Sequence, residues 1–306
     1  MRYDGARLAD FSVSGDTKRR QSFDGAFFTL SMLLLLIGVI MVLSSSYARA
    51  YYDPGNVTGG NAAYYFVRQL IFALLGIGCM LLASKLPMGF YRSYALHFLL
   101  LTLVLLMLVP VIGVKANGSR RWLGIGGLTL QPSELAKLAV ILSFAWLICR
   151  FRGRMRTVRY GLLPFAGILA VIVGLLVLEP HFSASVIILA VGAVMLPEEH
   201  NDFIISVTCE ELGFIGAAVI LILFAMLILR GYWIALHCRD RFSFLVCAGI
   251  TTLLAIQVFL NVAVVTNLVP CTGISLPLFS YGGTALLIQL GELGIVLSAS
   301  RDILET

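Results

Sequence analysis

The sequence predicts an all-α protein: a polytopic helical membrane bundle of about eight full spans plus one short or re-entrant helix. Three observations predict it. Of 306 residues, 59% are hydrophobic and only 12% charged, and the mean hydropathy is +0.96; a soluble domain carries roughly a quarter charged residues. The apolar segments are continuous instead of alternating, which argues against a β-barrel. The basic residues behind the net charge of +6 cluster in loops beside the apolar runs. That is how chain orientation in a membrane is written, so nucleic acid is not an expected partner.

Taken in order, a polar tail over 1–24 carries Arg2, Arg7, Lys18, Arg19 and Arg20, which places it in the cytoplasm. No cleavable signal peptide is read there, because the first apolar run is long enough to span. Spans are expected at about 25–46, 66–84, 94–112, 134–149, 160–178, 210–229, 242–266 and 277–299. The ninth apolar run, "FSASVIILAVGAVML" over 182–196, is too short to cross untilted at about 1.5 Å per residue. The membrane domain therefore covers 25–301, with a short tail at 302–306. The six cysteines have no CxxC spacing and read as small packing residues.

Charge then orients the loops. The turn at 85–93, with Lys85 and Arg92, falls inside, and so does the run Arg150, Arg152, Arg154, Arg156 and Arg159. Past residue 179 the alternation fails. If 182–196 crosses the membrane, the basic loop Arg230, Arg239 and Arg241 and the terminal Arg301 all fall outside. Either that run is re-entrant, or an odd number of spans is missing near 196–197.

The same parity puts the basic loop 113–133 outside, against the trend. It holds Lys115, Arg120, Arg121 and Trp122, and Lys137 follows on the next helix. Two explanations stand: charge pairing and snorkelling to lipid phosphates, or an anion site for a phosphate-bearing lipid, to which arginine offers bidentate contacts and lysine a point charge. "LQPSELAK" opens a helix, with Ser133 as N-cap or Pro132 as first helical residue, and Glu134 favoured by the helix dipole. Lys137 stands three residues after Glu134, so the two share a face and can pair. "GIGG", Gly124–Gly127, lacks the features of a P-loop or dinucleotide fingerprint and reads as a tight turn.

Further on, "LEPHFSAS" breaks an apolar run with Glu179, Pro180 and His181, as chains do where they line a cavity. The most acidic stretch, 197–216, holds Glu198, Glu199, Asp202, Glu210 and Glu211. Its acids are either a solvated helix start or groups able to act as a base or hold a divalent cation. Near the end, Gln289 and Glu292 share one face of the last span, as Gln257 and Asn261 do on the span before. Polar groups at that depth face the bundle interior, with interhelical packing the expected role for both glutamines.

With these residues in view, the sequence resembles the SEDS family of bacterial peptidoglycan glycosyltransferases, the FtsW/RodA/SpoVE proteins of division, rod shape and sporulation. The motifs are "LSSSYARAYY", "NGSRRWLGIGGLTLQPSELAKLA", "EPHFSAS", "HNDFIISVTCEELGFIGA" and "NVAVVTNLVPCTGISLPLFSYGG", in family order over about 25–301. The resemblance implies a ten-span fold in the cytoplasmic membrane that polymerises lipid II, a disaccharide-peptide on undecaprenyl pyrophosphate, at the outer face. It implies a class B penicillin-binding protein as partner, together with divisome or elongation proteins and membrane lipids. It implies substrate-binding roles for Lys115, Arg120, Arg121, Trp122, Gln131, Ser133, Glu134, Lys137, Glu211, Ser280 and Gly282; no cofactor is assigned, and Mg²⁺ or Mn²⁺ is the divalent cation the acidic stretch could hold.

Against the family pattern, "VGAVML" runs directly into "PEEHNDF". The remainder of one span, the next span and a long outer loop are missing there, along with the loop aspartate to which the family's catalysis is attributed. His181 and Ser183 stand where many members have Asp and Gly. No residue matches the aspartate, which leaves Asp202, Glu210 and Glu179 as candidate bases. Three functions remain open: lipid II polymerase, non-catalytic scaffold for a penicillin-binding protein, and lipid II flippase, the last without the inverted repeat a transporter would show.

Overall fold

The computed structural model describes residues 22–51, 61, 63–116, 119–125, 128–151, 163–178, 182–195, 213–265, 276–279 and 283–303. Among them are nine helices: α1 (Gly25–Tyr51), α2 (Tyr64–Lys85), α3 (Met88–Ile112), α4 (Pro132–Arg150), α5 (Leu163–Leu178), α6 (Phe182–Met195), α7 (Gly213–His237), α8 (Arg241–Val265) and α9 (Gly283–Ser300). Seven are long and apolar enough to cross a membrane; α5 and α6 are shorter, at 16 and 14 residues. Helices stand at all eight expected spans, but the fifth, α5, falls short of crossing length; α3 begins earlier than its apolar run suggested, at Met88, and α9 later, at Gly283. In the first case the amphipathic turn "MGFYRS" is helical because Tyr91 anchors it, its hydroxyl donating to the Ala83 carbonyl at 2.8 Å.

Helices α4, α8 and α9 form the interior: 72%, 61% and 67% of their apolar windows are buried, against 28% for α2 and α3. The outward faces of α2 and α3 carry Leu74, Leu82, Leu100 and Val111, all exposed, as lipid-facing surface does. Because lipid tails are as apolar as leucine, helices here associate by close packing of small residues. The α2–α9 contact depends on this. A Cβ at Gly294 would collide with the Met80 carbonyl oxygen, and one turn on Ser298 hydrogen-bonds the Leu86 carbonyl.

One end of the bundle is tied by charge. Asp24 caps α1, accepting from the Phe27 amide at 2.8 Å, and its carboxylate takes a bidentate contact from Arg230 on α7, closest at 2.7 Å. The Asp24 amide donates to Ser300 at the end of α9, and Arg230 also stacks over Trp233 at 4.1 Å. Arg92, starting α3, faces Asp240 before α8 at 3.9 Å, a half-exposed pair of little energetic weight. The start of α1, the start of α3 and the ends of α7 and α9 therefore share one face. Arg230 and Arg301 lie with the start of α1, as the positive-inside reading required.

That grouping fixes direction. Helix α6 follows α5 after three residues and packs against it in reverse: Gly192, ten residues into α6, touches Leu169, nine residues before the end of α5. It also meets Phe144 in the second half of α4, so α6 runs parallel to α4, away from the end of the bundle where α4 begins. Helix α7 runs the same way, since its last turns hold Asp24. Two successive described helices thus point in one direction; residues 196–212 between them lie outside the described residues.

At the opposite end, the loop expected to be irregular forms a three-stranded antiparallel sheet of β1 (Val114–Ala116), β2 (Ser119–Ile125) and β3 (Leu128–Leu130), in the order β1-β2-β3. The signal was in the sequence. Asn117-Gly118 and Gly126-Gly127 separate short runs, and Asn-Gly and Gly-Gly are two-residue hairpin dipeptides. Buried Leu123 anchors the sheet, which rests on α3, α4 and α9.

Replacing Arg230 by Met leaves the 7%-exposed Asp24 carboxylate without its partner. The cost is about 2 kcal/mol, below that of a fully buried pair because the guanidinium is one-third exposed; a thermal shift in detergent measures it. Single cysteines introduced at Ser22 and Arg239 are expected to label from the same side of the membrane, and one at Lys115 from the other. Labelling of 239 together with 115 would contradict the shared face.

Candidate functional site: a charged interior beneath the β-sheet

The sheet leads directly into α4. Gln131 is the residue preceding the helix, in extended backbone, and Pro132 occupies the first helical position. The second of the two readings of "QPSE" therefore holds, since Pro132 lacks the N–H that would be unpaired there. Ser133 is inside the helix, 1% exposed, and its hydroxyl has no hydrogen-bond partner among the described residues. One residue on, Glu134 pairs with Lys137 at 2.6 Å, as the i,i+3 spacing anticipated, with the side chains 14% and 3% exposed. Lys137 is five residues into α4, about 8 Å below its start. A lysine buried at that depth persists only because a carboxylate meets it.

Helix α9 brings the second set of polar groups. Its start is pinned to the sheet by Thr284, whose hydroxyl donates to the Thr129 carbonyl at 2.5 Å. Two turns deeper, Gln289 and Glu292 are buried. Gln289, Glu292 and Gln257 of α8 line one small cavity, closed by Ile250, Leu254 and Leu293 and by a turn at Pro277 and Leu278.

That turn lies inside the bundle. The segment Leu276–Phe279 was expected to open the last span. Instead it forms a turn ahead of α9, because Leu278 adopts φ 65°, a left-handed conformation that helix continuation forbids. Two neighbours hold it. The Leu278 amide donates to Gln289 Oε1 at 2.9 Å, and its carbonyl packs on Gly38 of α1, where a Cβ would collide. Gln289 is therefore the packing residue expected of it, and its partner is backbone. Non-helical backbone within a membrane bundle needs such satisfaction. A non-glycine residue at positive φ costs about 1–2 kcal/mol and persists only where its surroundings dictate it.

Of the sequence-predicted residues, the structure brings Ser133, Glu134 and Lys137 together on α4, with Gln131 directly before the helix and half-buried Trp122 on β2. Lys115, Arg120 and Arg121 are placed by their backbone in β1 and β2, Lys115 opposite Arg120 in register. Glu179, Asp202, Glu210, Glu211, Ser280 and Gly282 lie outside the described residues, as do His181 and the tail before Ser22. Among the described residues no group of three His, Cys, Asp or Glu side chains could hold a metal ion. Glu134 already faces the Lys137 ammonium, so it is poorly disposed to receive Mg²⁺ or Mn²⁺.

The family profile for FtsW, RodA and SpoVE, described as cell cycle protein, matches residues 25–196 and 194–304. The chain belongs to the FtsW/RodA/SpoVE family. Relatives include the protein named probable peptidoglycan glycosyltransferase FtsW in Trichlorobacter lovleyi, 32% identical over 93% of this chain and 96% of that one. Stage V sporulation protein E of Bacillus subtilis is 29% identical over 93% and 99%. Among solved structures, the rod shape determining protein RodA of Thermus thermophilus superimposes with a TM-score of 0.77 at 29% identity, covering 93% of this chain and 98% of RodA. A chain from a peptidoglycan synthase complex, solved for its coordination of polymerization and crosslinking, gives 0.77 at 27% identity, covering 92% and 98%. The FtsW alignment runs over 370 positions, more than the 306 residues available, so that FtsW has several dozen residues without a counterpart.

Substituting Gln289 by Leu removes the acceptor of the buried Leu278 amide. Stability should fall by about 1–3 kcal/mol, the cost of an unsatisfied buried donor. Unchanged thermal unfolding would mean that the turn is not held by this bond.

Proposed function

We propose that this FtsW/RodA/SpoVE chain is a peptidoglycan glycosyltransferase that polymerises lipid II at the outer face of the cytoplasmic membrane. The observation that carries the reading is the buried Glu134–Lys137 pair beside the unpartnered Ser133 hydroxyl, directly beneath a sheet whose backbone sets Lys115 opposite Arg120. Like charges at opposed positions of a sheet repel unless an anion lies between them. A pyrophosphate on a lipid supplies that anion, and the apolar bundle below supplies a surface for its chain. The start of α1 and the Arg230 end then face the cytoplasm, and the sheet faces outward.

The chemistry is an inverting glycosyl transfer. A general base takes the proton of the acceptor 4-hydroxyl while the pyrophosphate leaves, its charge met by the cationic groups. Arg120, Arg121, Lys115 and Lys137 hold that leaving group in this reading, and Trp122, Gln131, Glu211, Ser280 and Gly282 border the substrate. The base is an acid of the 179–211 region, Glu179, Asp202 or Glu210; a Mg²⁺ or Mn²⁺ ion held by such acids would offset the negative charge of the leaving group. The partner is a class B penicillin-binding protein, which crosslinks the product strands. The synthase complex, whose subject is the coordination of polymerization and crosslinking, supports that assignment.

A second reading draws on a specific observation. The family profile matches in two segments that meet at 194–196, where α6 and α7 run in the same direction without a described return. A deletion there removes a span and the outer loop with its aspartate, and the chain would then bind lipid and partner without turnover, as a scaffold.

Lipid II polymerisation by the 306-residue chain in detergent, with and without Mg²⁺ or Mn²⁺, separates the two. The enzyme reading expects glycan strands that disappear in K137M. Glycan only after a family-type loop is inserted at 196 would establish the scaffold reading instead.

A further inference from the structure

The small cavity between α8 and α9 has no place in the function as proposed so far, yet its walls carry an acid at membrane depth. Glu292 stands nine residues into α9, about 14 Å from the sheet end, and is 6% exposed. Half the thickness of the hydrocarbon is about 15 Å, so this carboxyl lies near the membrane midplane. Gln257, eight residues before the end of α8, stands at about 12 Å from the same end and is 4% exposed. The two share the cavity with Gln289, with the turn at Pro277 and Leu278, and with aliphatic side chains.

A carboxylate at that depth needs a counter-charge and marks function by default. No ion pair among the described residues includes Glu292. No other charged or titratable side chain lines the cavity. On α4, Lys137 and Glu134 are one of each sign and are paired with each other at 2.6 Å. On α2, Cys79 packs at Gly291, beside Glu292 in the chain. Arg68 and Lys85 of α2, Arg230 of α7 and Arg241 of α8 belong to the two ends of the bundle. Water supplies no charge, so hydration alone leaves a carboxylate uncompensated. Size then limits what can enter: a free volume of about 10 Å³ takes one water-sized particle and no organic ligand.

The donor set narrows the ligand further. The Gln289 Oε1 is already taken by the Leu278 amide at 2.9 Å, which leaves Gln257 as the other carboxamide of the cavity. Non-helical backbone at Pro277 and Leu278 reaches the same wall. Broken helices beside an acid at the midplane are how membrane bundles hold Na⁺ or a proton. One carboxylate among neutral groups suits a monovalent ion; Mg²⁺ demands octahedral oxygen and keeps several waters, for which there is no room. We propose that this cavity is a monovalent-cation site at the membrane midplane, in which Glu292 takes its counter-charge from solution, as a proton or as a dehydrated Na⁺ held also by Gln257. The site stands apart from the anion site at the sheet and does not depend on it. Because α8, α9 and the Leu278 turn all supply its walls, the bound cation fastens the three together.

Thermal unfolding of the full chain in detergent, wild type beside E292Q, tests this in two series. A ligand held by the folded state alone raises the Tm by mass action. In the first series Na⁺ replaces N-methyl-D-glucamine at fixed pH and ionic strength. A Na⁺ site raises the wild-type Tm by several degrees and leaves E292Q unmoved, and Q257L, which removes an oxygen but keeps the acid, responds severalfold less. The second series varies pH without Na⁺. If the cation is a proton, the folded state holds one that the unfolded chain releases once the pH passes the ordinary carboxylate range. The wild-type Tm then falls relative to E292Q as pH rises, and Na⁺ has no effect. Other groups titrate alike in both proteins, so the difference between their curves isolates Glu292. Parallel curves for wild type and E292Q in both series overturn the proposal, as does a wild-type Tm indifferent to both cations should E292Q fail to fold. None of these outcomes bears on lipid II polymerisation, which is assayed separately.

Discussion

The burial of the Lys137 ammonium beneath the β-sheet, 2.6 Å from the Glu134 carboxylate, constrains everything around it. An ion in an apolar bundle is tolerated only with its counter-charge in place. The pair requires α4 to start where it does, with Pro132 in the first turn and Glu134 at the positive end of the helix dipole. It requires the sheet to sit above and α9 to pass beside. The least lipid-exposed helices are accordingly α4, α8 and α9, which surround these charges, while α2 and α3 present leucine and valine outward.

A second requirement of the same kind operates at Leu278. Here it is backbone that enters the interior, and the bundle answers with the Gln289 side chain for the amide and with Gly38 for the space. The polar residues of α8 and α9 thereby acquire distinct tasks although they line the same cavity. Gln289 satisfies backbone, and Glu292 and Gln257 face the cavity between α8 and α9. At the other end, Asp24 combines a helix cap with a bidentate ion pair, so the first, seventh and ninth helices are joined by a single carboxylate and its own amide.

The two ends differ in what they are suited to do. The Asp24 end is closed by mutually satisfied partners and reads as structural. The sheet end has cationic residues on adjacent strands, a buried hydroxyl without a partner among the described residues and an ammonium that a stronger anion could attract. That asymmetry agrees with membership of the FtsW/RodA/SpoVE family, some of whose members are named peptidoglycan glycosyltransferases.

Much of this was legible in the linear chain. Apolar runs of membrane-crossing length located the helices because hydrocarbon thickness fixes span length. The i,i+3 spacing of Glu134 and Lys137 announced their contact because both lie on one helix. Even the parity fault near residue 196 was visible, since charged loops report the side on which they lie. The hairpin dipeptides at 117–118 and 126–127 are equally present, as a weaker signal than the apolar runs on either side. What local pattern could not supply was anything decided by packing between distant segments. That α7 ends on the face where α1 begins depends on Arg230 finding Asp24, 206 residues away. That Leu278 turns inward depends on the absence of a side chain at Gly38, and that Glu292 shares a cavity with Gln257 depends on how α9 crosses α8. Periodicity assigns a residue to a face of its helix; only the tertiary arrangement chooses what that face meets.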